Sequence, residues 1–213
     1  MRSPSDGSPN VTGVEPATPT TLLDERALAA CVARLGREIA VDHPDGVVLV
    51  GVLKGALIFL ADLTRAVEGI AVEVDFIAIS RYAPDSGRVR ITHDLATDLT
   101  GRDVVIVEDI VDTGLTLGYL VQHLRDRGAR AVDVCALLDR DARRILPLPI
   151  RYVGVEIPDV FVLGYGQHVA DLYRNLPRVV EADRELIVRD PAAYVSALYT
   201  GMPGAGPASE ARC

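Results

Sequence analysis

The sequence predicts an α/β fold, a twisted and mainly parallel sheet flanked by helices, and three observations carry that expectation. Four Val- and Ile-rich runs of strand length, GVVLVGVL (46–53), AVEVDFIAIS (71–80), DVVIVED (103–109) and AVDVCALLD (131–139), are apolar over most of their length, as strands covered by helices on both faces are. Helix-compatible stretches separate them, notably GALIFLADLTRAV and TLGYLVQHLRDRG, and such alternation is the pattern of βαβ units. Charged residues then follow the runs: Lys54 the first, Arg81 the second, Glu108 and Asp109 at the close of the third, Asp139 and Arg140 at the end of the fourth. In open α/β sheets ligands bind beyond the carboxyl ends of the strands, so these are the positions expected to meet a ligand.

Taken in order, residues 1–20 are rich in Pro, Ser, Thr and Gly and have the composition of a disordered tail; GMPGAGPASEARC (201–213) reads as a second, flexible one. One domain over 21–200 remains. In DERALAACVARLGREIA, Leu28, Val32, Leu35 and Ile39 fall on one helical face with Asp24 as the N-cap. The first strand follows and delivers Lys54, then a second helix over GALIFLADLTRAV and the second strand. The polar connection RYAPDSGRVRITHD (81–94) is long for an ordinary loop. A third strand ending at Val107 would carry Glu108 and Asp109 out of the sheet. A helix from about Thr116 would leave DTGLT as the connecting loop, before the fourth strand ends at Asp139 and Arg140.

Composition excludes several classes. The chain has 213 residues, 49% hydrophobic and 24% charged, enough for a real core. Thirty acidic against 22 basic residues give a net charge of −8, which opposes nucleic-acid binding, although a local basic patch could hold a small phosphate. No apolar run is long enough to span a bilayer and MRSPSDGSPNVTG lacks the apolar centre of a signal peptide, so no membrane association and a cytoplasmic location are expected. Cys31, Cys135 and Cys213 lack metal-type spacing and are expected to be free thiols.

The stretch VVIVEDIVDTGLTL (104–117) holds three carboxylates, Glu108, Asp109 and Asp112, between an apolar strand and a Thr-Gly-Leu-Thr turn. Small residues let backbone N–H groups converge, and with a helix N-terminus they form an anion site suited to phosphate. Acids beside a phosphate suit a ligand that also offers hydroxyls or Mg²⁺, or a proton that must be accepted. Spacing alone leaves open the plainer possibility that acids and glycine merely end a strand and cap a helix. No G-x-x-x-x-G-K-[ST] occurs, and GYG (164–166) is not a G-x-G-x-x-G, so neither a P-loop nor a dinucleotide fold is supported.

This stretch resembles the signature of type I phosphoribosyltransferases. GVLKGALIFLADL (51–63), VDFIAISRY (74–82), VCALLDRDARR (134–144), YVGVEIPDVFVLGYG (152–166) and LYRNLPRV (172–179) resemble the hypoxanthine/guanine branch, in order, over about 22–182. The resemblance implies a small hood over the active site and transfer of the 5-phosphoribosyl group from 5-phosphoribosyl 1-pyrophosphate (PRPP) to a 6-oxopurine. It implies that Glu108 and Asp109 hold the ribose hydroxyls directly or through Mg²⁺, that Asp112, Thr113, Gly114, Leu115 and Thr116 cradle the 5'-phosphate, and that Asp112 is the proton partner near N7 of the purine. Lys54 and Gly55, after a cis peptide between Leu53 and Lys54, and Arg174 would contact pyrophosphate. Phe161 would stack on the base, the Val162 backbone would meet its pyrimidine edge, and Arg81 and Tyr82 would belong to a mobile loop that closes to exclude water. Self-association as a homodimer or homotetramer is implied as well.

Three positions depart from the family pattern. Arg140 stands where the family usually has a lysine reading the 6-oxo group, and the two side chains are not interchangeable. His168 stands where an aspartate ligand for a second Mg²⁺ is common, and Asp171 is an alternative acid nearby. Arg81 precedes Tyr82 where relatives have serine. Two readings of different class follow: an active 6-oxopurine phosphoribosyltransferase, or one using a non-standard base, against a non-catalytic regulator that binds PRPP or nucleotides. Glu108, Asp109, Asp112, Lys54 and Arg174 together favour the enzyme, because a sensor has no use for a proton partner.

Overall fold

The computed structural model describes residues 19–80 and 90–199. Residues 1–18, 81–89 and 200–213 lie outside the described residues, among them Arg81, Tyr82 and the segments 1–20 and 201–213 expected as tails, except that positions 19 and 20 are described and Thr20 opens the first strand. Among the described residues, nine strands and five α-helices follow one another as β1 (Thr20–Leu23), α1 (Glu25–Asp42), β2 (Val47–Leu53), α2 (Leu57–Ala66), β3 (Val72–Ser80), β4 (Arg90–His93), β5 (Asp103–Val111), α3 (Leu115–Asp126), β6 (Ala131–Asp139), β7 (Tyr152–Glu156), β8 (Phe161–Leu163), β9 (Val179–Ala182), α4 (Arg184–Arg189) and α5 (Val195–Tyr199). Among the described residues no helix is long and apolar enough to cross a membrane.

The main sheet has the order β4-β3-β2-β5-β6-β7, parallel except for β4. β2 and the middles of β5 and β6 are apolar and buried because both faces of the sheet are covered there. Leu49, Val105, Val107 and Leu137 pack with Leu28, Val32, Leu35 and Ile39 of α1 and Phe59, Leu60 and Leu63 of α2. The alternate residues Val48, Val50, Ile106 and Val134 pack with Leu117, Leu120 and Leu124 of α3. Each fully buried Leu or Val on these faces contributes about 1.5–3 kcal/mol, which fixes the register: slipping a strand by one residue would exchange its two faces. The Asp24 side chain accepts a hydrogen bond from the Ala27 N–H at 2.8 Å, the N-cap expected for α1.

Two expectations are corrected. Residues 90–93, expected within a loop, form β4 and pair antiparallel with β3, Ile91 opposite Ile79, because RITH alternates as a strand does. The third strand does not stop at Val107 but continues to Val111, since Ile110 and Val111 resume the β-branched pattern and pair with Leu138 and Asp139. A smaller antiparallel sheet, β1-β9-β8, packs with α4 and α5 through Leu163, Tyr173, Leu176, Val180, Ile187 and Tyr194.

Candidate active site

Because β2, β3, β5, β6 and β7 run parallel, their carboxyl ends share one edge of the sheet, and a cavity of about 440 Å³ opens there. Its walls are Lys54 and Gly55 after β2, Glu108, Asp109 and Asp112 from β5 and its loop, Arg140 and Arg143 after β6, Phe161 and Val162 of β8, and Gln167, His168, Asp171, Arg174 and Arg184 beyond. Five basic residues and four acidic ones meet in this space, in a chain whose overall charge is −8.

The β5 wall is more deeply set than the sequence suggests. Glu108 and Asp109 remain in the strand, Glu108 opposite Ala136, and are only 4% and 8% exposed. The Asp109 carboxylate accepts from the Ile110 N–H at 3.0 Å. The Leu53–Lys54 peptide is cis. Immediately after it, Gly55 passes so close to Asp109 that a Cβ would overlap the carboxylate. Gly166, with φ of 101°, lies against the Gly55 carbonyl on the other side. The Lys54-Gly55 turn is therefore held between an acid and a glycine backbone.

The turn after β5 is Asp112, Thr113 and Gly114, with α3 starting at Leu115, one residue before the expected Thr116. Gly114 is left-handed (φ 77°) and a Cβ there would stand 2.7 Å from the Leu146 carbonyl, two reasons for glycine. The segment after β6 clasps this turn. The Thr113 carbonyl accepts from the N–H groups of Ile145 (3.0 Å) and Leu146 (2.9 Å), while Arg144 Nε donates to the Asp112 carbonyl (2.9 Å) and its guanidinium pairs with Asp139. Thr113, Gly114, Leu115 and Thr116 lie outside the cavity lining; they form the turn and helix end next to Asp112.

Arg140 is 5% exposed, and its Nη1 stands 3.3 Å from Asp112 Oδ1. Burial lowers its affinity for the proton and the Asp112 charge opposes that loss. Among the described residues, the buried side-chain atoms without a hydrogen-bond partner are Asp112 Oδ1, Arg140 Nε and Gln167 Nε2. All three belong to residues of this one cavity. Such atoms cost about 1–3 kcal/mol each, and their gathering at one place marks a functional site rather than random imperfection.

Elsewhere in the lining, Lys54 Nζ lies 3.2 Å and Arg174 Nη2 3.0 Å from the Asp171 carboxylate, and Arg174 Nη1 donates to the Gly166 carbonyl at 2.6 Å. Arg174 and Lys54 hold the Asp171 carboxyl below the usual carboxylate range. His168 Nδ1 accepts from the Asp171 N–H at 3.1 Å. Among the described residues no group of three or more His, Cys, Asp or Glu side chains is clustered as a metal cage.

Of the residues singled out in the sequence, Lys54, Gly55, Glu108, Asp109, Asp112, Arg140, Phe161, Val162, His168 and Arg174 line the cavity together. Gln167, Arg143 and Arg184 were missed, and Asp171 was noticed only as a spare acid. Arg184 begins α4, far along the chain, and no local pattern points to it.

The phosphoribosyl transferase domain family matches residues 20–169. The chain is 43% identical over 179 residues to the hypoxanthine-guanine phosphoribosyltransferase of Bacillus subtilis (strain 168), covering 82% of this chain and 95% of that one. It is 40% identical over 168 residues to the hypoxanthine phosphoribosyltransferase of Escherichia coli (strain K12), covering 76% and 94%. Among solved structures, it is similar to a hypoxanthine-guanine phosphoribosyltransferase of Bacillus anthracis, with a TM-score of 0.73, 39% identity and coverage of 76% and 98%. A hypoxanthine phosphoribosyltransferase of Staphylococcus aureus gives a TM-score of 0.75 at 33% identity, with coverage of 83% and 98%.

Proposed function

Because this chain belongs to the phosphoribosyltransferase family, in its hypoxanthine/guanine branch, we propose that the cavity at the carboxyl edge of its sheet is the active site and assign roles to its residues. The enzyme transfers the 5-phosphoribosyl group from PRPP to a 6-oxopurine, hypoxanthine or guanine. The bond from C1' to the pyrophosphate oxygen breaks, a bond from C1' to the purine nitrogen forms, and the ring proton passes to a base. One observation supports the site assignment most: the Asp112–Arg140 pair and the convergence of Lys54 and Arg174 on Asp171 lie in the lining of one cavity.

On this reading Lys54, the Gly55 backbone and Arg174 bind the diphosphate, and Glu108 and Asp109 orient the ribose hydroxyls. The turn of Asp112, Thr113, Gly114, Leu115 and Thr116 takes the 5'-phosphate, its small residues and the N-terminus of α3 offering N–H donors. Asp112 accepts the proton near N7 and its charge stabilises a cation-like ribosyl centre. Arg140 donates to the 6-oxo group, Phe161 stacks on the ring and the Val162 backbone meets its pyrimidine edge.

The family is metal-dependent, and we assign the metal as Mg²⁺. Carboxylate oxygens without an all-protein cage suit this ion, which is commonly held by one or two carboxylates together with substrate oxygens. Glu108 and Asp109 supply such oxygens beside the Gly55 turn; the metal would neutralise charge on PRPP. His168 is left out of the metal set, because its Nδ1 already accepts from the Asp171 N–H and Mg²⁺ favours oxygen. Buried thiols at Cys31 and Cys135 accord with a cytoplasmic location. A homodimer or homotetramer is assigned from family membership alone.

Pyrophosphate release from PRPP and Mg²⁺ with each of hypoxanthine, guanine, xanthine and adenine tests the reading. Release is expected with hypoxanthine or guanine and not with adenine. PRPP binding without release for any of the four would favour the regulatory reading. Phe161→Ala is expected to raise KM for the base by about tenfold and leave KM for PRPP unchanged, since base stacking on an aromatic is worth about 1–3 kcal/mol; steady-state kinetics varying each substrate separates the two.

A further inference from the structure

The side chains assigned to the diphosphate are not idle in this structure. Lys54 Nζ and Arg174 Nη2 both engage the Asp171 carboxylate, at 3.2 and 3.0 Å, and Arg174 Nε stands 3.3 Å from the same oxygen that Nη2 meets. Two cations from segments 120 residues apart are thus gathered by one acid of the chain itself. We propose that Asp171 is an internal counter-ion of the diphosphate site, competing with the diphosphate of PRPP and with released pyrophosphate for Lys54 and Arg174. The inference rests on the assignment of those two residues made above.

The backbone is built to present this carboxylate. Ala170, Asp171 and Tyr173 have φ of 48°, 61° and 74°, a left-handed conformation that L-residues adopt reluctantly. The hook is tied by the Leu172 N–H to the Val169 carbonyl (2.8 Å). Tyr173, 1% exposed, anchors it below, its hydroxyl donating to the Pro191 carbonyl at 2.8 Å. Strain of this kind persists only where surrounding contacts enforce it, and here it sets an acid in front of two cations.

The energetics fit a competitor rather than a lock. The side chains of Lys54 and Asp171 are 69% and 60% exposed, so water screens their pairing and a displaced carboxylate rehydrates readily. A diphosphate brings several negative charges and wins the contest, at an affinity reduced both by displacement and by repulsion from the nearby acid. The same effect works on the product: as pyrophosphate leaves, Asp171 takes over its cations, so release is eased.

The test is calorimetric titration of the full chain with inorganic pyrophosphate in the presence of a chelator, comparing wild type, Asp171→Asn and Lys54→Ala. Asparagine keeps the shape and removes the charge. Asp171→Asn is expected to bind roughly threefold to tenfold more tightly than wild type, and Lys54→Ala more weakly. If Lys54→Ala equals wild type, the diphosphate assignment itself fails and the inference with it. If Lys54→Ala weakens binding but Asp171→Asn is unchanged or weaker, the assignment stands and the counter-ion is overturned. A repeat with Mg²⁺ adds a further arm: binding by Asp171→Asn that is lost only when the metal is present would make Asp171 a metal ligand, which also overturns the proposal.

Discussion

Asp112→Asn is expected to bind PRPP as wild type does and to turn over at least about tenfold more slowly, the low end of what a positioned acid or base contributes. The substitution keeps the size of the side chain and removes its ability to take a proton. Asp112 stands at the cavity with one oxygen 3.3 Å from Arg140 and without a hydrogen-bond partner, the condition of a group reserved for a ligand. The 5'-phosphate would meet backbone N–H groups of the turn, which asparagine leaves in place, so the loss should fall on kcat. Measuring kcat together with a PRPP binding constant separates the two, and unchanged kcat would remove Asp112 from the chemistry. A stability loss should accompany it, since Arg140, 5% exposed, would lose its counter-charge; a shifted urea midpoint reads that independently.

Gly166→Ala is expected to cost about 2 kcal/mol or more of stability and to weaken PRPP binding by at least about tenfold. Two effects add at this position. With φ of 101° any side chain is strained, and a Cβ would run into the Gly55 carbonyl, which is backbone and has little room to yield because Asp109 closes the other side of Gly55. The Gly166 carbonyl also accepts from Arg174 at 2.6 Å, so a shift there moves the second residue assigned to the diphosphate. Gly69 supplies the control: its φ is 82° but a Cβ meets nothing within 4 Å. Gly69→Ala should therefore show only the backbone penalty, about 1 kcal/mol, with PRPP binding intact. Equal effects on binding from the two substitutions would sink the argument from close approach.

The parts of the fold legible in the sequence are those whose cause is local. Leu28, Val32, Leu35 and Ile39 repeat with the helical period, and β2, β5 and β6 show as apolar runs because both faces of the sheet are covered along most of their length. β1, β8 and β9 are three or four residues long, and Thr20 pairs with Glu181 across nearly the whole chain, a contact that no window of sequence contains. Lys54, Glu108, Asp109 and Asp112 were legible because they follow apolar runs at the ligand edge, and Phe161 and Arg174 through family resemblance. That Glu108 and Asp109 stay in the strand was not, because the apolar run resumes only after them. Nor was the partnership of Lys54 with Asp171, which depends on three left-handed residues that are neither glycine nor asparagine.

The clasp between the segment after β6 and the turn after β5 bears on how this enzyme can change. Arg140, assigned to the base, begins the same short stretch whose Arg144, Ile145 and Leu146 hold the Asp112-Thr113 turn, assigned to the phosphate. Selecting variants for a new base by altering this stretch would perturb the grip on PRPP at the same time, so gains in one substrate would carry losses in the other. Phe161 and Val162, assigned to the same base, line the cavity from a separate sheet. Acceptor preference has its least encumbered path of divergence there.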